Sequence, residues 1–186
     1  YWVATDMAWD AIAITHQYNL YEKIIPESSL SEYFWNQNYN IIKNANTVLG
    51  KIDNEDIVFS SESDRNRLKA EAHFFRAWSY RFLGIMYGGV PIVLNELTEP
   101  KRDFQRAPVQ DVWAQVINDL NFAVDNLPSV TESKADGKLT KATARHLLAE
   151  IYIITEEYDK AIVSASAVID DPNYELMRDR FGSRMD

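Results

Sequence analysis

The chain has 186 residues, 46% of them apolar and 12% aromatic, enough to bury the core of one domain. Its 19 Lys and Arg are scattered among 28 Asp and Glu, a formal charge of -9 without a basic stripe, so a phosphate backbone would be repelled and nucleic acid is not an expected partner. The absence of cysteine removes disulfides, thiolate zinc sites and cysteine nucleophiles, and no apolar run reaches the roughly 18 to 20 residues of a membrane span.

Tyr1-Trp2-Val3-Ala4 has neither an initiator Met nor the pattern of a signal segment, which reads as truncation. Helical spacing of Met7, Trp9, Ala11, Ile12 and Ile14 predicts a first helix over about 3–16, followed by a loop with Tyr18, Tyr21, Ile24, Ile25 and Pro26. Ser29 with Glu32 has the form of a capping box and predicts a second helix to about Lys51, with Trp35, Tyr39, Ile42, Ala45, Val48 or Leu49, and Ile52 in its stripe and Gly50 as its C-terminal cap. Residues 53–64 are acidic and Ser-rich, a solvated loop from which Ser61 or Asp64 caps a third helix over 65–87. That helix is expected to bury Phe75, Trp78, Phe82 and Met86 along one side and to stop at Tyr87-Gly88-Gly89-Val90-Pro91. A short extended piece, Ile92 to Leu94, and a polar connection lead to a fourth helix over 108–127, with Pro108 in its first turn and Val112 or Trp113, Val116 or Ile117, Leu120, Ala123 or Val124, and Leu127 inward. Residues 129–139 read as a second solvated loop. The end, from Arg180 to Asp186, carries nothing to tie it down, and truncation is expected there too.

The final third repeats an earlier pattern. Thr140 caps a predicted helix to Ile154, Thr155-Glu156-Glu157 turns the chain, and Tyr158 to Ile169 returns, a hairpin of tetratricopeptide (TPR) type with Ala161 at the small crossing position. Ala142, Ala144, Ala149 and Tyr152 each lie 72 residues after Ala70, Ala72, Ala77 and Tyr80. Ile162, Ala165 and Ile169 each lie 42 residues after Leu120, Ala123 and Leu127. The first hairpin therefore carries an insertion of about 30 residues, largely the loop after Tyr87, and insertions in repeat arrays project from one edge. The predicted fold is all-α, TPR-like hairpins stacked as an α-α superhelix.

No catalytic constellation stands out. His16, His73 and His146 are far apart in sequence, no H-E-x-x-H or Gly-rich phosphate loop occurs, and the acid pairs Glu55/Asp56, Glu156/Glu157 and Asp170/Asp171 fall in turns where water solvates them. The sequence points to no catalytic residue, cofactor or metal. Aromatic residues in helical phase, Trp35, Trp78, Trp113 and Tyr152, are expected in the core, whereas Trp2, Tyr18 and Tyr21 lie at or beside loops where a flat face could meet a sugar ring or a peptide side chain. Arg106 is expected to pin the insertion through carbonyls or a carboxylate.

Taken in order, Trp35-x-x-x-Tyr39-x-x-Ile42-x-x-Ala45-Asn46, Glu71-Ala72-x-Phe74-x-Arg76-Ala77, Tyr87-Gly88-Gly89-Val90-Pro91, Arg106-Ala107-Pro108-Val109, Asp119-Leu120-x-x-Ala123 and Gly137-Lys138-Leu139-Thr140-Lys141-Ala142 resemble the SusD/RagB family of outer-membrane nutrient-binding lipoproteins. The resemblance implies a surface-exposed outer-membrane protein, held by a lipid anchor absent from this chain. It would be no enzyme, and would capture oligosaccharide, or in some cases peptide, for a SusC-like TonB-dependent transporter. Residues 1–186 then look like a single helical N-terminal region, with Trp2, Tyr18 and Tyr21 as candidate ligand contacts. A TPR-type adaptor for a protein partner is the alternative.

Overall fold

The computed structural model describes residues 29–54, 57–133 and 137–175; the helix expected over 3–16 lies outside them. The chain forms two compact units, Tyr1–Asn40 and Ile41–Asp186. The boundary falls inside the first described helix, α1 (Ser29–Ile52), which begins at the predicted capping position and runs through Gly50, so Gly50 is an interior residue and not a cap. Within the first unit, the Trp35 and Tyr39 rings meet at 4.9 Å and Asn38 Nδ2 donates to Phe34 O at 2.8 Å.

In the second unit, α2 (Glu62–Tyr87), α3 (Val109–Asn126), α5 (Lys141–Ile154) and α6 (Tyr158–Ile169) form two hairpins. α2 packs on α3, α5 packs on α6, and α3 against α5 joins the pairs, as stacked TPR-like repeats require. Ser61 caps α2: its Oγ accepts from Asp64 N at 3.0 Å. Pro108 precedes the first turn of α3 as its N-cap, where its missing amide costs nothing. Thr140 precedes α5 but makes no cap bond, its hydroxyl lying 3.3 Å from that of Thr143 and 3.2 Å from that of Tyr174. Residues 130–133, expected as loop, form one helical turn, α4 (Val130–Ser133), secured because Ser129 N and Oγ both donate to Glu132 Oε2 at 2.8 Å.

The aligned first helices of the two hairpins bury most of the same repeat positions. Ala70, Ala77 and Tyr80 are fully buried in α2, and their counterparts Ala149 and Tyr152 are buried in α5 with Ala144. Small side chains let the helices approach, and Trp113 of α3 lies so close across Gly84 that a Cβ there would sit 2.5 Å from its ring.

The expected inward face of α2 is corrected. Phe75, Trp78 and Met86 form an exposed side of α2, with Phe75 49% and Trp78 46% accessible. The buried side is made of Ala70, Ala77, Tyr80, Leu83 and Gly84 together with the polar Arg76 and Ser79. The bulkier face of the stripe lies outward because close packing against α3 demands small residues, and Arg76, the charged group on the inward face, has internal partners. On α6, Ile162 and Ile169 are 63% and 77% accessible, whereas their repeat counterparts Leu120 and Leu127 are sealed. The α3 residues have α5 against them, and no described helix lies against that side of α6. Among the described residues no helix is long and apolar enough to cross a membrane.

Candidate functional site

The insertion after α2 is built from its base upward. Gly88 ends the helix at φ 71°, donating its amide to Gly84 O at 3.1 Å, a left-handed geometry that suits glycine. A Cβ at Gly89 would overlap the carbonyl oxygen of Ala107, so the two ends of the loop touch through a position that only glycine fits. Ala107 N donates to Val90 O at 3.1 Å, and Arg106 closes the base, its Nε donating to Gly89 O and its Nη2 to Tyr87 O, both at 2.6 Å. Arg106 pins the loop through carbonyls, as the sequence reading expected.

Above that base, residues 90–94 have no regular secondary structure, and side chains supply hydrogen bonds to their backbone. Tyr80 Oη accepts from Val93 N at 2.6 Å and donates to Val93 O at 3.0 Å. Asn46 Nδ2 also donates to Val93 O at 2.9 Å, and Arg76 Nη1 to Leu94 O at 3.2 Å. Burial pushes the Tyr80 phenol up to about 12, so it stays a neutral donor.

Arg76 is held in turn. Its Nε and Nη2 donate to the two carboxylate oxygens of Asp119 at 2.8 and 2.7 Å, a bidentate pair, while Nη1 reaches Asn46 Oδ1 at 2.8 Å. Asp119, fully buried, also meets His73 Nδ1 at 2.7 Å and Gln115 Nε2 at 2.9 Å. Burial by itself would raise the Asp119 carboxyl, but the hydrogen bonds from Arg76 and then His73 outweigh it and hold the group below its ordinary value.

A His–Asp contact invites a catalytic reading, which the geometry does not support. Both Asp119 oxygens are committed, the ring of His73 packs on Phe122 at 4.5 Å, and among the described residues no hydroxyl is hydrogen-bonded to the imidazole to serve as a nucleophile. The cluster is a structural keystone that holds α1, α2 and α3 to the insertion. In the sequence Arg76 and Asp119 stand out only as members of the ordered motif set, without a role for either. Charged residues at inward helical positions were the available signal, since a buried charge requires a partner.

The surface offers two further features. On the exposed side of α2, the Arg81 guanidinium lies 5.4 Å over the Trp78 ring and pairs with Glu150 of α5 at 2.7 Å. Where the start of α2, the end of α3 and the start of α5 meet, a polar cleft of about 500 Å³ opens beside Asn66, Asp125 and Lys141. Trp2, Tyr18 and Tyr21, the sequence-based candidates for ligand contact, lie outside the described residues. Among the described residues no group of three His, Asp or Glu is placed to hold a metal ion.

Paired helices with small residues at the crossings, stacked through α3 and α5 and interrupted by one pinned loop, define a TPR-like helical-repeat protein. The chain belongs to the SusD-like family: the family profile described as "Starch-binding associating with outer membrane" matches residues 3–153. That description is one of binding, not catalysis. SusD-like protein P2 of Formosa agariphila is 29% identical over 147 residues, covering 78% of this chain and 28% of the relative. A crystal structure of a SusD-like protein from Bacteroides fragilis superposes with a TM-score of 0.75 at 26% identity, covering 86% of this chain and 30% of that one. A laminarin-binding SusD-like protein superposes with a TM-score of 0.68 at 27% identity, covering 81% of this chain and 35% of that one. The chain thus spans about a third or less of the length of these relatives.

Proposed function

We propose that residues 1–186 are the N-terminal helical region of a lipid-anchored cell-surface protein that captures oligosaccharides and delivers them to a SusC-like, TonB-dependent outer-membrane transporter. The family match over residues 3–153, with its starch-binding and outer-membrane description, carries this reading. The laminarin-binding relative supports glycan as the ligand class. Trp2, Tyr18 and Tyr21 are the proposed stacking residues: aromatic faces cover the C–H faces of a sugar ring while polar groups at the rim bond its hydroxyls. The test is a glycan array followed by calorimetry on the full-length protein. Oligosaccharide binding is expected, weakened about tenfold or more by Trp2→Ala, Tyr18→Ala or Tyr21→Ala, the loss of about 1.4 kcal/mol or more. Binding of peptides alone would sink the sugar reading.

The exposed side of α2, with Phe75, Trp78 and Met86 in one stripe, favours a second reading, a TPR-type adaptor for a protein partner. Affinity capture from solubilised membranes separates the two. A β-barrel transporter is expected under the first, and a soluble client under the second.

A further inference from the structure

We infer that the polar cleft between the start of α2, the end of α3 and the start of α5 is a second saccharide subsite, one that takes a neutral, hydroxyl-rich ring. This rests on the glycan reading above and adds a position to it. The cleft, about 500 Å³, is of the size that holds small ligands, about 300 to 1,000 Å³.

Its walls are built and fixed. Lys141 N donates to Pro128 O at 2.9 Å, tying the start of α5 to the end of α3. Glu132 is occupied by Ser129, whose amide and hydroxyl hold its carboxyl below the ordinary value with a smaller contribution from the Lys141 charge. Arg67 is occupied by Glu71 at 2.6 Å. The groups facing the cleft that remain uncommitted are the Ser63 hydroxyl, the Asn66 carboxamide, the Asp125 carboxylate and the Lys141 ammonium. None of the four side chains forms a hydrogen bond or ion pair with another described residue. Asn66 and Lys141 are half-buried, so part of their hydration has been lost without replacement.

The chemistry of this set selects the ligand. Asp125 only accepts, Lys141 only donates, and Asn66 and Ser63 do both, around one volume. Asp125 and Lys141 form no ion pair, so the space between them suits groups that give a proton to one and a lone pair to the other. Adjacent ring hydroxyls do this. One free cation and one free anion cancel, which gives a sulfated or uronate sugar no net attraction. Pro128, half-buried at the rim, supplies an apolar contact for ring C–H groups.

The test uses the full-length protein, with laminaritriose and glucose as saccharide probes and alanyl-alanine as a zwitterionic one. Wild type is expected to bind laminaritriose at two classes of site by calorimetry. Asp125→Ala and Lys141→Ala, both surface substitutions checked for folding by circular dichroism, are expected to weaken the lower-affinity class about tenfold and leave the other unchanged. Glucose is expected to shift the Asn66 side-chain amide resonance in NMR. Binding to a single class that neither substitution alters would overturn the subsite while leaving the glycan reading intact. A shift of Asn66 with alanyl-alanine and not with glucose would overturn it in favour of a peptide terminus. A wild type that binds no glycan on the array would overturn both readings.

Discussion

Asp119 shows how one buried charge organises its surroundings. It receives Arg76 through two bonds and is touched by His73 and Gln115, so replacing it leaves a buried guanidinium without its counter-ion. Asp119→Asn is expected to cost about 3 to 5 kcal/mol in urea unfolding, the range for breaking a buried pair from one side. The pH dependence follows from the same bonds. The folded carboxyl titrates below its unfolded value of about 3.9, so its contribution is fully present above that pH and is lost as pH falls through the folded value. Wild type should therefore lose stability below about pH 4 in a way that Asp119→Asn does not, a difference read from urea midpoints across an acid series. Gly89 is a second residue-scale case. Because a Cβ there would overlap the Ala107 carbonyl, Gly89→Ala is expected to cost about 1 to 3 kcal/mol and to speed hydrogen exchange at Ala107 N, whose acceptor is Val90 O. The glycine pair was legible in the sequence as a helix stop. The contact across the loop was not, since it joins residues whose proximity exists only once the insertion folds back.

At the scale of elements, the two hairpins are equivalent in sequence and unequal in environment. Leu120 of α3 and Leu127 at its C-terminal cap are sealed, whereas Ile162 and Ile169 of α6 face outward. Leu120→Ala and Leu127→Ala are expected to cost about 2 to 5 kcal/mol each by chemical denaturation, and Ile162→Ala and Ile169→Ala at most about 0.5. Equal costs at the two sets would mean that α6 is covered in solution. The alternation of small and large residues made the hairpins readable before the structure. It could not assign which face of α2 lies inward, because a bulky stripe of Phe75, Trp78 and Met86 and a tight face of Ala70, Ala77 and Gly84 share the same period. Packing against α3 chose the tight face.

For the whole molecule, charge and exposed surface set what it can meet. With a formal charge of -9 and no basic stripe, the chain is expected to pass through immobilised DNA without retention at 0.15 M salt. Retention that falls steeply with added salt would contradict that. The exposed aromatic side of α2 and the outward apolar side of α6 are larger invitations to contact than the charge distribution offers, and the adaptor reading draws on the first of them. The polar cleft adds a different chemistry, suited to hydroxyl groups.

The sequence alone determined the class: all-α, two TPR-like hairpins, one insertion after Tyr87 and membership of a binding family. Each of these is written in local spacing, caps and an ordered motif set, which depend on residues near one another in the chain. The keystone of Asn46, Arg76 and Asp119, the closure of the loop by Arg106 on Tyr87 and Gly89, the inward face of α2 and the cleft beside Asn66, Asp125 and Lys141 were decided by tertiary structure. Each brings together groups from separate elements, and only the packing of small side chains at the helix crossings sets the distances at which hydrogen bonds and ion pairs form.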